Sequence, residues 1–139
     1  GLQKMRIPLE EFESRFVPLV MGGGSFLKKS AEDQHLLLLS AFLRLEPGQD
    51  YSEAELNEAL KPWSATFGAG FGLDHVTLRR HLIDAGYLLR DAAGTTYTLN
   101  TDKPPVHYDP AIADLDHEVM LQDELDERER RKRKYTQSS

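Results

Sequence analysis

Residues 74–99 read DHVTLRRHLIDAGYLLRDAAGTTYTL. Asp74 is a good N-cap, and at about 100° per residue Leu78, Leu82 and Ala85 share one side of a helix. Gly86 supplies the left-handed stop, so a helix is predicted over 75–85. Two β-prone runs, 87–90 and 95–99, flank Asp91, Ala92, Ala93 and Gly94, which is a hairpin signal. The unit thus ends in a helix followed by a short β-ribbon.

Upstream, Ser52 with Glu55 forms a capping box that opens a helix bearing Leu56, Ala59 and Leu60, with Pro62 marking its end. Ser30 with Asp33 opens another, which carries the apolar run from Leu36 to Leu45 until Pro47 and Gly48 stop it. Between the second and third helices a turn at 64–72 holds Phe67 and Phe71 among Gly68, Gly70 and Gly72. Residues 26–100 therefore read helix, helix, turn, helix, hairpin, the order of a winged helix-turn-helix domain. The expected class is mainly α with a small β-hairpin.

Helical extensions are expected on both sides. Leu9, Phe12 and Phe16 recur at i, i+3 and i+7, Pro18 should kink or end that helix, and Gly22, Gly23 and Gly24 form a flexible joint. Residues 1–25 thus read as a helical arm and glycine linker. Pro104, Pro105 and Pro110 make 101–110 an extended linker. Beyond it, 111–139 reads as an acidic-then-basic helix with a frayed tail, its stripe of Ile112, Leu115 and Val119 too narrow to be stable without a partner surface. That surface is the arm, the main domain or a second copy.

The chain of 139 residues carries a net charge of −6. Its 101–127 segment holds one lysine against nine acidic groups, and its 128–134 segment holds six basic groups against Glu129. A protein that coats DNA by phosphate neutralisation alone is basic overall, so any nucleic-acid contact here must be local and weak or partner-assisted. The absence of cysteine excludes disulfides, thiolate zinc sites and a cysteine nucleophile. No apolar run approaches a membrane span and no basic-then-apolar leader pattern is present, so a cytoplasmic protein is expected.

The segments YSEAELNEAL (51–60) and DHVTLRRHLIDAGYLLRDAAGTTYTL (74–99) resemble the bacterial domain-of-unknown-function 2087 family. Its opening pattern falls here on Tyr51, Glu53, Glu55 and Asn57. Its helix pattern falls on Asp74, Leu78, Arg79, Arg80, Leu82 and Asp84, followed by Gly86, Leu88, Arg90, Gly94 and Tyr97. The resemblance covers about 26–99. It implies a winged-helix-like fold and a place in transcriptional control, since the family is frequently joined to ArsR- or MarR-like regulators. It implies no catalytic activity and no ligand. Two features depart from the pattern: the turn at 62–73 is longer, and the acidic C-terminal extension lies outside it.

Helix 75–85 carries the residues suited to nucleic acid. Thr77, Arg79, Arg80 and His81 match the arginines and small polar groups that a recognition helix offers to bases and phosphates. The competing reading is structural: Arg80 with Asp84 as an i, i+4 pair, and Arg79 bound to Glu55 or Glu58 of the preceding helix. Arg90 is the one basic residue of the wing, with Asp91 at its tip. Arg128, Arg130, Arg131, Lys132, Arg133 and Lys134 either grip phosphates or an acidic partner, or form a solvated helix end.

Trp63, Phe67 and Phe71 either plug the core or line a ligand pocket. His75 and His81 lie about 240° apart on one helix and cannot share a metal ion, and Asp114 with His117 supplies two ligands at most. No residue set points to a cofactor, a small-molecule substrate or a nucleophile, so a non-enzymatic protein is expected. The two functional expectations are a DNA-binding, transcription-associated domain using helix 75–85, and a protein-interaction module on the same fold. A homodimer through 110–127, with 1–21 as a second contact, is expected in either case.

Overall fold

The computed structural model describes residues 4–137. Strand β1 (Met5–Ile7) leads into helix α1 (Leu9–Gly22), and a 3-10 turn (Phe26–Lys28) precedes α2 (Ala31–Phe42). Helix α3 (Glu53–Trp63) runs into a wide π turn (Ser64–Gly68) and a 3-10 turn (Ala69–Phe71) before α4 (His75–Asp84). The hairpin β2 (Leu88–Arg90) and β3 (Tyr97–Leu99) follows, then β4 (Val106–Tyr108), α5 (Ala111–Asp114) and α6 (His117–Gln137).

The caps form as the residue types dictate. Ser30 Oγ accepts the Asp33 amide at 3.1 Å, and Asp74 Oδ1 accepts the Thr77 amide at 2.7 Å. The Ser52–Glu55 box closes in both directions at 3.0 and 3.1 Å. Helix α2 is buried continuously from Leu36 to Phe42, so its unbroken apolar run is that of a central helix covered on all sides. Around it the side chains of Phe12, Phe16, Leu56, Leu60, Trp63, Leu78 and Leu82 close one core. The hairpin pairs Leu88 with Leu99 and Arg90 with Tyr97. Tyr51, in the segment between α2 and α3, joins its outer side through two 2.8 Å backbone hydrogen bonds with Tyr97.

Four expectations are corrected. First, of the kink or end expected at Pro18, the end does not occur: the proline faces solvent, and burial of Phe12, Phe16 and Val17 carries the helix across it. Second, the three glycines are not a free joint. The Gly24 amide donates to Gly70 O at 3.0 Å, and a Cβ on Gly23 (φ +61°) would sit 3.1 Å from that same oxygen. Third, 101–110 is not merely a linker, because β4 pairs in parallel with β1, Met5 opposite Val106 and Ile7 opposite Tyr108.

Fourth, the helix expected beyond 110 is broken at Leu115 and Asp116. Asp116 Oδ1 accepts the Val119 amide at 3.1 Å and starts α6 afresh, so Ile112 is buried while Val119 turns outward, 50 % exposed. The partner surface for this segment comes from within the chain: α1 packs against α5 and α6. Among the described residues no helix is long and apolar enough to cross a membrane.

Candidate nucleic-acid interface

Helix α4 is seated by Leu78 and Leu82, both fully buried, which divides its remaining side chains between an inner and an outer flank. Arg79 belongs to the inner flank. Its side chain is 15 % exposed, and the guanidinium pairs with Glu53 Oε1 at 3.0 Å and donates to Asn57 Oδ1. Its expected partners were Glu55 or Glu58, but both are occupied. Glu55 accepts the Ser52 amide, and Glu58 holds Lys61 Nζ at 2.6 Å. Glu53 and Asn57, one turn apart on α3, are left to face α4. Arg79 thus clamps two helices and is not available to a groove.

Arg80 is on the outer flank. It is exposed and has no hydrogen-bond or ion-pair partner among the described residues; the i, i+4 pair with Asp84 does not form. Thr77 is half-buried beside it, its amide spent on the cap. His81 is half-buried, its ring 4.6 Å from that of Phe26. That contact brings the 3-10 turn with exposed Lys28 alongside α4, and the next residue, Lys29, lies over Phe71.

Arg90 folds back on its own hairpin. Its guanidinium lies 5.7 Å from the Tyr97 ring centroid and reaches Gly94 O at 3.4 Å. Asp91 closes the turn by accepting from the amides of Thr95 (2.7 Å) and Thr96 (3.1 Å) and from the Thr95 hydroxyl. Those bonds, the Thr96 amide foremost, hold its carboxyl below the usual range. The hairpin tip therefore offers one exposed carboxylate, and Arg90, though exposed, lies back over the Tyr97 ring.

The basic cluster of α6 is laced to acids one or, for Arg131, two turns away. Arg128 and Arg131 share Glu124, Arg130 pairs with Glu127, and Arg133 with Glu129. Such i, i+3 and i, i+4 pairs explain how α6 continues as a helix where it has no core to rest on. Lys132 and Lys134 are exposed along the same stretch.

A buried polar chain links α2, α3 and α6 and carries no sequence signal beyond the residues themselves. The Trp63 indole donates to Ser40 Oγ at 2.9 Å, and Ser40 Oγ lies 2.7 Å from His117 Nδ1. His117 Nε2 sits 3.0 Å from Ile112 O. A carbonyl only accepts, so Nε2 carries the proton, Nδ1 accepts from the Ser40 hydroxyl, and every member is satisfied with the imidazole neutral. Burial pushes His117 below the ordinary histidine value, outweighing the Ile112 carbonyl that favours the cation. His117 is therefore an anchor for α6 rather than half of a metal pair with Asp114, and no group of three or more potential metal ligands occurs among the described residues.

Trp63, Phe67 and Phe71 are all buried, Trp63 and Phe67 with ring centroids 5.6 Å apart. No curated protein and no solved structure matches the chain. A family model described as an uncharacterized protein conserved in bacteria (DUF2087) matches residues 26–99, the span that opens with the Phe26 turn and closes with β3. That is more than half of the 139 residues, and the chain belongs to the domain-of-unknown-function 2087 family.

Proposed function

We propose that residues 26–99 form a winged-helix-type domain that binds duplex DNA through the outer flank of α4, in a transcription-associated role. The supporting observation is the connectivity: a helix, the Tyr51 bridge, two further helices and a hairpin tied to that bridge through Tyr97. In this arrangement α4 is the helix that leads into the hairpin, and Arg80 projects from it exposed and unpaired. The contact is chiefly to phosphates. Arg79 is committed to α3, Arg90 to Tyr97, and a single free arginine with Thr77, His81 and neighbouring Lys28 suits backbone contact better than base readout. With a net charge of −6 the affinity is modest and strongly salt-dependent.

Fluorescence polarisation with a random-sequence duplex at ~50 mM salt tests this, because low salt favours phosphate contacts. Saturable binding that weakens steeply with salt is expected. Absence of binding under those conditions removes the DNA reading. The interaction-module reading, in which a protein partner docks along α6, rests on a separate observation: Val119 and Leu125 are 50 % and 41 % exposed on that helix. A second copy is the partner of that reading, and sedimentation of the chain across a concentration series decides it.

A further inference from the structure

Helix α6 has two halves of opposite charge. Residues 118–127 carry Glu118, Asp123, Glu124, Asp126 and Glu127 with no basic group, a net of −5. Residues 128–137 carry six basic groups against Glu129, a net of +5. Support from the core runs out near the same boundary, since every residue from Leu125 to Gln137 is exposed. A stretch of that length standing clear of the core is marginal as a helix on propensity alone.

Segregated charge is a poor way to stabilise a single helix. Only acids within a turn or two of a base can use it, and Glu124, Glu127 and Glu129 do so with Arg128, Arg130, Arg131 and Arg133. Asp123 instead has Asp126 and Glu127 at i+3 and i+4, and Arg130 has Arg133 and Lys134 there. Like charges at those spacings destabilise a helix. Asp123 and Lys132 have no hydrogen-bond or ion-pair partner among the described residues. The macrodipole favours this polarity only in the first and last turns. The separation therefore needs a reason outside the helix.

Neighbouring elements do not supply one. Helix α1 presents Glu13, exposed and unpaired, to the groove it forms with Met120, Asp123 and Glu124. Helix α2 leads to Arg44, which Glu118 holds at 2.9 Å. These two charges offset one another and leave the acidic half as it was. The ion pairs of Arg128, Arg130, Arg131 and Arg133 are all made within α6.

We propose that two copies of the chain associate through α6 in antiparallel order, the acidic half of each against the basic half of the other. The proposal rests on the reading of α6 as a surface for a second copy and is independent of DNA binding. Antiparallel order about the middle of the helix, near Glu127, matches −5 with +5 at both ends, whereas parallel order sets like against like. A nucleic acid laid along α6 would suit the basic half and be repelled by the acidic one. A second α6 is complementary to both. Leu125, 41 % exposed, lies two residues from that midpoint, so the two copies' Leu125 side chains come about 6 Å apart along the axis and supply the apolar contact. With little apolar surface and exposed ion pairs, the association is weak and falls with salt.

Sedimentation of the full chain at up to ~300 µM should show a dimer at ~50 mM salt whose affinity drops at least ~10-fold at ~500 mM. One set of reversals, Asp123→Lys, Glu124→Lys, Asp126→Lys and Glu127→Lys, makes α6 wholly basic. The other, Arg130→Glu, Arg131→Glu, Lys132→Glu and Lys134→Glu, makes it wholly acidic. Each single-signed variant should be monomeric. An equimolar mixture of the two should pair one to one, which shows that neither has lost the helix. Both sets in one chain exchange the halves and should restore the homodimer at low salt. A wild-type chain that stays monomeric at low salt overturns the proposal and the second-copy reading together. A dimer that persists in both single-signed variants, or strengthens with salt, overturns the antiparallel charge pairing and leaves a second copy docked by apolar residues. A combined variant that stays monomeric while the mixture pairs overturns the antiparallel order as well.

Discussion

The two flanks of α4 carry neighbouring arginines with opposite environments. On the inner flank Arg79 is enclosed by Glu53 and Asn57 of α3, whereas on the outer flank Arg80 meets solvent. A rotation of about 100° along one helix is enough to turn the same side chain from a strut into a free cation. The lesson is that a double arginine is not by itself a binding motif. The seat set by Leu78 and Leu82 decides which guanidinium is offered, and the carboxylates left over on the neighbouring helix decide which is consumed.

The largest effect that sharpens this contrast comes from the seat. Leu78→Ala, at a fully buried position, should cost about 2–5 kcal/mol, measured as a shift in the denaturation midpoint. A loss below ~1 kcal/mol would mean that α4 is not held by this face. Arg79→Ala should come next, at about 1–3 kcal/mol, because it removes a charged hydrogen bond and leaves Glu53 and Asn57 without their partner. A variant as stable as wild type, but defective in DNA binding, would transfer Arg79 to the outer flank.

A pH titration probes the interior in the same way. His117 is neutral in the fold and its value is lowered by burial, so the unfolded chain takes up its proton first, near pH 6.5. Its contribution to stability is therefore complete above that pH and is lost as pH falls through the window below it, at a rate of at most about 1.4 kcal/mol per unit. His35, lowered by burial and 2.8 Å from the Tyr87 hydroxyl, acts in the same direction. The melting temperature should be level from about pH 7 to 8 and decline between about 6.5 and 5.5. A melting temperature that stays level or rises on acidification contradicts the neutral Ser40–His117 link. The smallest effect belongs to the outer flank: Arg80→Ala should change stability by less than ~0.5 kcal/mol.

The parts of the fold written in local signals were legible. The caps at Ser30, Ser52 and Asp74, the leucine face of α4 and the turn at Asp91 to Gly94 each depend on residues within a few positions of one another. What escaped depends on partners far along the chain. The β1–β4 pairing joins Met5 to Val106, and the tolerance of α1 for Pro18 reflects the burial of Phe12 and Phe16 against the rest of the molecule. The break before α6 did have a local sign, because Asp116 is an N-cap residue type, but the i, i+3, i+7 spacing of Ile112, Leu115 and Val119 outweighed it. Within the candidate interface, Thr77, Arg80 and His81 were placed on one helix from spacing alone. The commitment of Arg79 required knowing that Glu55 and Glu58 were already engaged, and that of Arg90 required the Tyr97 ring across the hairpin.

The outer flank is tested most directly by the salt dependence of duplex binding for the wild type and Arg80→Ala, measured side by side by polarisation. A free guanidinium that neutralises one phosphate should lower the slope of log affinity against log salt by about 0.9 when removed. Identical slopes and affinities in the two proteins would contradict the assignment of this face to DNA.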